Sequence, residues 1–274
     1  MKKNLILILA AIAMALNVQA KKPKTISKVD SVALFNAMGL YDEGRYERSL
    51  EIFNDLAETY PDNYLINYER LLPLIRLNRN DEAINVAKRL VKMKDRSPLA
   101  FQMYGNLTDL AGKPNEALEI YDKGLKEFPD AGILYLEKGN VFNHYSYFEQ
   151  ALACFNMGIM KDPLFPSNYY RGALTQLGHG NKVWGLIYAE TEIMLNLQGE
   201  ERHAHMAQEI KNTIAQSLVM KNDSIKCTLS PGINMILNDG GSDKTKRRNW
   251  TRWAKTYISV SRESIMCVLR TQPG

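Results

Sequence analysis

Residues 112–131 read GKPNEALEIYDKGLKEFPDA, and residues 44–63 read GRYERSLEIFNDLAETYPDN. The strings begin 68 positions apart, and each passes from a turn residue through Leu-x-Ile and an aromatic to Pro-Asp. Half that offset, 34 residues, is a period that runs through the middle of the chain. Ser49, Ala83, Ala117 and Ala151 share one slot; Leu50, Ile84, Leu118 and Leu152 share the next; Phe53, Ala87, Tyr121 and Phe155 share a third. Pro61, Pro129 and Pro163 close three copies, with Asp95 in the remaining slot. The register continues into Gly185, Leu186 and Ala189, giving copies at 30–63, 64–97, 98–131, 132–165 and 166–199.

Each copy carries apolar residues at helical spacing twice, separated by Gly, Asn or Pro. Leu118, Tyr121 and Leu125 lie three and four apart and make one stripe of a helix. The small residue of each copy lets paired helices approach, and the aromatic fills the gap to the next copy. One pair cannot bury its apolar face alone, so the copies must stack. Pro98 and Pro166 suit the first turn of a helix, where a missing N–H costs nothing. Pro73, inside Leu71-Leu72-Pro73-Leu74-Ile75, is expected to kink or interrupt its helix.

These residues resemble the tetratricopeptide repeat family, whose pattern has a large residue, Gly and an aromatic in the first helix, then Ala, an aromatic and Pro. Phe101, Gly105, Ala117, Tyr121 and Pro129 fit in the third copy; Tyr135, Gly139, Phe142, Ala151, Phe155 and Pro163 fit in the fourth. The fifth departs, with Gly185 in place of the small Ala and Leu197 in place of the Pro. The resemblance covers residues 30–199. It looks closest to exported repeat proteins of Bacteroides-type bacteria, through Ser31-Val32-Ala33-Leu34-Phe35-Asn36-Ala37 and Phe165-Pro166-Ser167-Asn168-Tyr169-Tyr170-Arg171.

The resemblance implies an all-α fold, a right-handed superhelix (α-solenoid) of about five helix-turn-helix repeats. It also implies that first-helix side chains line a concave groove holding an extended or helical peptide. The residues expected there are Tyr68, Leu72, Gln102, Asn106, Asp109, Asn140, Asn143, Tyr170 and Arg171. Asn106 and Asn140 occupy equivalent slots, and each amide offers a donor and an acceptor to a peptide backbone. The competing expectation is that these Asn side chains satisfy neighbouring helix ends. In the chaperone-adaptor members of the family, Lys and Arg grip a C-terminal carboxylate. Here the slot of the key Lys reads Leu34, Tyr68, Gln102, Leu136 and Tyr170, which argues against that use. Tyr, Asn and aliphatics suit a neutral or amphipathic segment better.

Beyond the repeats, residues 200–221 are expected to form a capping helix, with Met206, Ile210, Ile214 and Leu218 on one face. Residues 222–274 are read as two short strands followed by a basic tail. Ile225, Cys227 and Leu229 alternate with polar residues, and Ser230-Pro231-Gly232 separates them from Ile233–Leu237.

The first twenty residues differ from the rest. Met1-Lys2-Lys3, the apolar run Leu5–Leu16 and Val18-Gln19-Ala20 have the pattern of a secretory signal peptide. The run is short for a membrane span, which argues against an uncleaved anchor. A linker, 21–29, would then open the mature chain. The expected location is the periplasm, or the periplasmic face of the outer membrane of a Gram-negative bacterium. Net charge is +5 overall, but the body from 21 to 240 is −3 and residues 241–274 are +6. Lys244-Thr245-Lys246-Arg247-Arg248-Asn249-Trp250, with Trp253, could touch an anionic membrane surface weakly. Nucleic acid is not an expected partner outside the cytoplasm. Cys227 and Cys267 both lie in the C-terminal region and could pair, though nothing in the sequence demands it.

There is no phosphate-binding Gly-rich loop, no Gly-x-Ser-x-Gly elbow and no His-Glu-x-x-His helix. His203 and His205 would point to different faces of a helix, and a tetrahedral metal site needs three or four convergent ligands. The carboxylates are expected on solvent faces. No enzyme activity, metal or cofactor is expected, and the partner is a protein or peptide.

Overall fold

The computed structural model describes residues 25–196, 199–221, 224–230 and 233–238. Residues 1–20, expected to be a signal peptide, the basic tail with Trp250 and Trp253, and Cys267 lie outside them. The chain divides into two compact units, residues 1–111 and 112–274.

The first unit contains α1 (Lys28–Asp42), α2 (Tyr46–Thr59), α3 (Tyr64–Glu69), α4 (Leu71–Arg76), α5 (Asn80–Leu90) and α6 (Pro98–Leu110). Ser27 starts α1 by accepting the Asp30 amide on its hydroxyl at 3.1 Å, and Asn63 starts α3 by accepting the Ile66 amide at 3.0 Å. Pro98 occupies the first turn of α6. Pro73 interrupts its helix as expected. It has no N–H for the carbonyl of Glu69, and the chain breaks at Arg70 between α3 and α4. Leu34, Ala37, Phe53, Leu56, Ala57, Tyr60 and Ile66 form one buried cluster. Leu50, Leu71, Leu74, Ala83, Val86, Ala87, Leu90, Ala100 and Leu107 form the next. The Ser49 hydroxyl is buried and donates to the carbonyl of Ala37 at 2.8 Å, so a polar residue meets the small-residue requirement at no cost.

The second unit contains α7 (Pro114–Glu127), α8 (Gly132–His144), α9 (Phe148–Lys161), α10 (Pro166–Gly178), α11 (Lys182–Leu195) and α12 (Glu200–Ser217). Its helices pack through glycines that leave no room for a Cβ. A Cβ on Gly139 would lie 2.4 Å from Phe155 Cε1, and one on Gly158 would lie 2.3 Å from Asn168 Nδ2. Asn168, fully buried, donates to the carbonyl of Gly132 at 3.0 Å. The departure in the fifth copy is also a packing feature: a Cβ on Gly185 would lie 2.4 Å from Leu177 Cδ2. Leu177 fills the space that the small Ala fills elsewhere, and α11 forms in full. Ala173, Ala189, Met206 and Ile210 join α10, α11 and α12 in one core.

One residue per turn shows why the period is kept without insertion. Gly44, Asn78, Gly112, Ser146 and Gly180 are 34 apart and have φ of 76°, 57°, 77°, 63° and 77°. The next amide reaches back five residues: Arg45 N to Leu40 O (2.8 Å), Arg79 N to Leu74 O (2.9 Å), Tyr147 N to Phe142 O (2.8 Å) and Asn181 N to Gln176 O (2.9 Å). This is a Schellman-type helix end, which requires a left-handed residue at one fixed position.

The capping helix ends earlier than expected, and the two expected strands are joined by a third. Helix α12 ends at Ser217, and Leu218 opens β1 (Leu218–Lys221), followed by β2 (Ser224–Ser230) and β3 (Ile233–Asn238). The three form an antiparallel sheet in the order β1-β2-β3, with Leu218 opposite Cys227 and Met235 on the other side of Cys227. Leu218 continues the helical stripe of Ile210 and Ile214, which is why the sequence extends the helix through it. The backbone partner supplied by β2 overrides that local pattern.

Candidate functional site

The first helices of the repeat pairs are α1, α3–α4, α6, α8 and α10. In the second unit, α8 and α10 carry four of the expected groove residues, and two of them, Asn140 and Arg171, meet. Arg171 on α10 donates from Nε to Oδ1 of Asn140 on α8 at 2.7 Å, and Asn140 donates from Nδ2 to Glu137 Oε2 at 3.1 Å. Glu137 and Arg171 occupy the same slot of successive copies, so Asn140 bridges two equivalent positions. Both ends of its amide are therefore engaged by side chains, neither by a helix end. Asn143, one turn further along α8, is partly exposed near the helix end.

Tyr170 is held from α12. Its hydroxyl lies 3.1 Å from His205 Nδ1, and the Arg202 guanidinium carbon lies 4.5 Å from the ring centroid, a cation–π contact. Arg202 also donates from Nη1 to the Ser167 hydroxyl at 3.3 Å. Its Nη2 lies 3.0 Å from Oε1 of Glu192, and Asn196 donates to the same oxygen at 2.9 Å. Glu192 is fully buried. That corrects the expectation that carboxylates lie on solvent faces: Glu192 sits on the inward side of α11, where Arg202 neutralises it. His203 is buried and His205 exposed, so the two diverge as their spacing requires. Among the described residues no group of three or more His, Cys, Asp or Glu converges to hold a metal ion.

In the first unit, Tyr68 stacks on Tyr64 with ring centroids 5.9 Å apart, and burial pushes its phenol up from the ordinary range. Leu72 borders a small hollow with Met38, Tyr41, Asp42, Phe53 and Glu69. Burial, and then the charge of Asp42, raise the Glu69 carboxyl. The hollow thus has an apolar floor and two carboxylates at its rim. Gln102 and Asn106 are partly exposed on α6. Asp109, also on α6, has Oδ1 sealed from solvent without a hydrogen-bond partner.

Sequence reasoning missed Glu192, Arg202, Asp42 and Glu69. The last could have been found, because it shares the slot 35, 69, 103, 137, 171 with the expected groove residue Arg171, and that slot reads Phe, Glu, Met, Glu, Arg. Cys154 is no nucleophile: burial pushes its thiol up to about 11, so it stays protonated.

No family model matches the chain, and no curated protein matches it. Solved structures do. The chain is similar to TTC0263, a thermophilic TPR protein of Thermus thermophilus, with 17% identity, a TM-score of 0.54, and coverage of 66% of this chain and 99% of that one. It is similar to PilW, a type IV pilus biogenesis factor, with 21% identity, a TM-score of 0.50, and coverage of 70% and 93%. Among the described residues no helix is long and apolar enough to cross a membrane. At these identities the likeness is one of fold. It shows an all-α solenoid fold, that of tetratricopeptide repeat proteins.

Proposed function

We propose that this chain is a non-catalytic interaction scaffold that binds a peptide or protein segment along its first helices. The observation that carries this reading is the fixed Glu137–Asn140–Arg171 array. Polar side chains are held at partly exposed positions before any partner arrives, so little ordering cost remains on binding. Tyr170 and Asn143 extend that surface. Tyr68, Leu72, Gln102, Asn106 and Asp109 hold the corresponding positions on the first helices of the first unit. Second helices keep the period and serve packing, while first helices differ from copy to copy, as a specificity surface must. The working location is the envelope of a Gram-negative bacterium, on the strength of the leader-like residues 1–20 and the resemblance to exported Bacteroides-type proteins.

The test is a cross-linking capture from the native envelope, read by mass spectrometry, with the unaltered chain and with Asn106→Ala/Asn140→Ala and Arg171→Ala variants. Capture of a defined partner that falls in the variants supports the reading. Unchanged capture in both variants would sink the first-helix surface. A liposome sedimentation arm, with and without residues 241–274, separates this reading from membrane contact by the basic tail. Lipid binding that vanishes with the tail while capture persists assigns the tail its own role.

A further inference from the structure

Val29, Val32 and Phe35, on the outer side of α1, are 78%, 70% and 71% exposed. The value at Val32 is unusual because of where it lies in the period. Its equivalents Ile66, Ala100 and Leu134 are all fully buried. Ile66 is covered by Phe53, Leu56 and Leu34 of the pair before it. Among the described residues no pair precedes α1, so the surface that every later copy covers is open there. A Cβ built on Gly39 meets nothing within 4 Å, so the same stripe ends in bare backbone.

Lys28, Val32, Phe35, Gly39 and Asp42 follow a 4-3-4-3 spacing, the seam along which two helices pack. The seam is complementary to itself when two copies run antiparallel about an axis at Phe35. Lys28 then faces Asp42 of the second copy, Val32 falls beside the gap at Gly39, and the two Phe35 rings meet on the axis. A two-fold contact needs this property, because each side supplies the same patch. We propose that α1 is a dimer interface and that its occupant is a second copy of this chain in antiparallel register. Opposite charges at the two ends of the seam select that orientation over the parallel one, which would set Lys28 against Lys28 and Asp42 against Asp42. One helix face is a small interface, so the dimer is expected to form with a dissociation constant on the order of micromolar.

Sedimentation equilibrium of the purified full chain tests this across about two decades of concentration around that value. A monomer–dimer equilibrium is expected. Phe35→Glu should raise its dissociation constant at least about tenfold, while far-UV circular dichroism stays unchanged because the side chain is exposed. Lys28→Glu should weaken the dimer, and adding Asp42→Lys should restore it, with both effects fading in high salt. A monomer at every concentration overturns the proposal and leaves residues 1–24 or a different protein as the cover for α1. A dimer indifferent to Phe35→Glu overturns it as well. Failure of the charge exchange to restore association overturns the antiparallel register.

Discussion

Arg202 on α12 places Nη2 3.0 Å from Oε1 of Glu192 on α11, a carboxylate with no exposed surface. The pair ties the last helix to the fifth copy, and Asn196 donates to the same carboxylate oxygen at 2.9 Å. The ion pair is asymmetric, since Arg202 keeps about a third of its side chain in solvent and Glu192 keeps none. The carboxylate is therefore the partner that cannot be left alone.

Arg202→Ala strands that buried charge, and its expected cost is about 3 kcal/mol. Amide hydrogen exchange should speed up through α12 and the end of α11 while α8 and α9 keep their protection. The paired change Arg202→Leu/Glu192→Leu removes both charges and should recover most of the loss. Urea denaturation of the two variants beside the unaltered protein measures it, and recovery of nothing by the double change would refute the account.

The left-handed turns make a second prediction. Ser146 has φ of 63° and carries a Cβ where Gly44, Gly112 and Gly180 carry none. Ser146→Gly should stabilise the protein by about 1 kcal/mol, and Asn78→Gly by less, because Asn tolerates this region better. Gly180→Ala should destabilise by a similar amount. Thermal melting distinguishes the signs directly.

Close packing gives a third. Because a Cβ on Gly139 would sit 2.4 Å from Phe155 Cε1, Gly139→Ala should cost about 1–3 kcal/mol. Phe155→Leu alone leaves a void, but combined with Gly139→Ala it frees the space the new methyl needs. A double-mutant cycle should show a favourable coupling, and strict additivity would mean the contact is not the cause.

The Glu69 carboxyl gives a prediction in pH. Burial, then the Asp42 charge, raise it above the ordinary 4.5. The folded state therefore holds this proton more tightly than the unfolded chain does. Stability contributed at this position falls as pH rises from 4.5 through the raised value, and returns on acidification through the same window. Glu69→Gln should be more stable than the unaltered protein at neutral pH, with the advantage shrinking as pH drops through that window. Urea titrations at several pH values read the difference, and an advantage independent of pH would contradict the assignment.

Much of this molecule follows from local rules that the sequence states openly. The 34-residue spacing of Ser49, Ala83, Ala117 and Ala151, with Leu50 and Phe53 and their equivalents, determines helix pairs that must stack, because a single pair cannot hide its stripe. Pro73 determines a broken helix, since a missing N–H acts within one turn. Tertiary structure decided what depends on a partner distant in sequence. Glu192 looks like any surface carboxylate until α12 brings Arg202 to it. Asn140 looks like a free amide until Arg171, 31 residues later, donates to its oxygen and sets it in a fixed polar array. Leu218 continues a helical stripe until β2 offers a ladder of hydrogen bonds. In each case the side chain or backbone group has several chemically adequate partners, and only the packed fold selects which one is within reach.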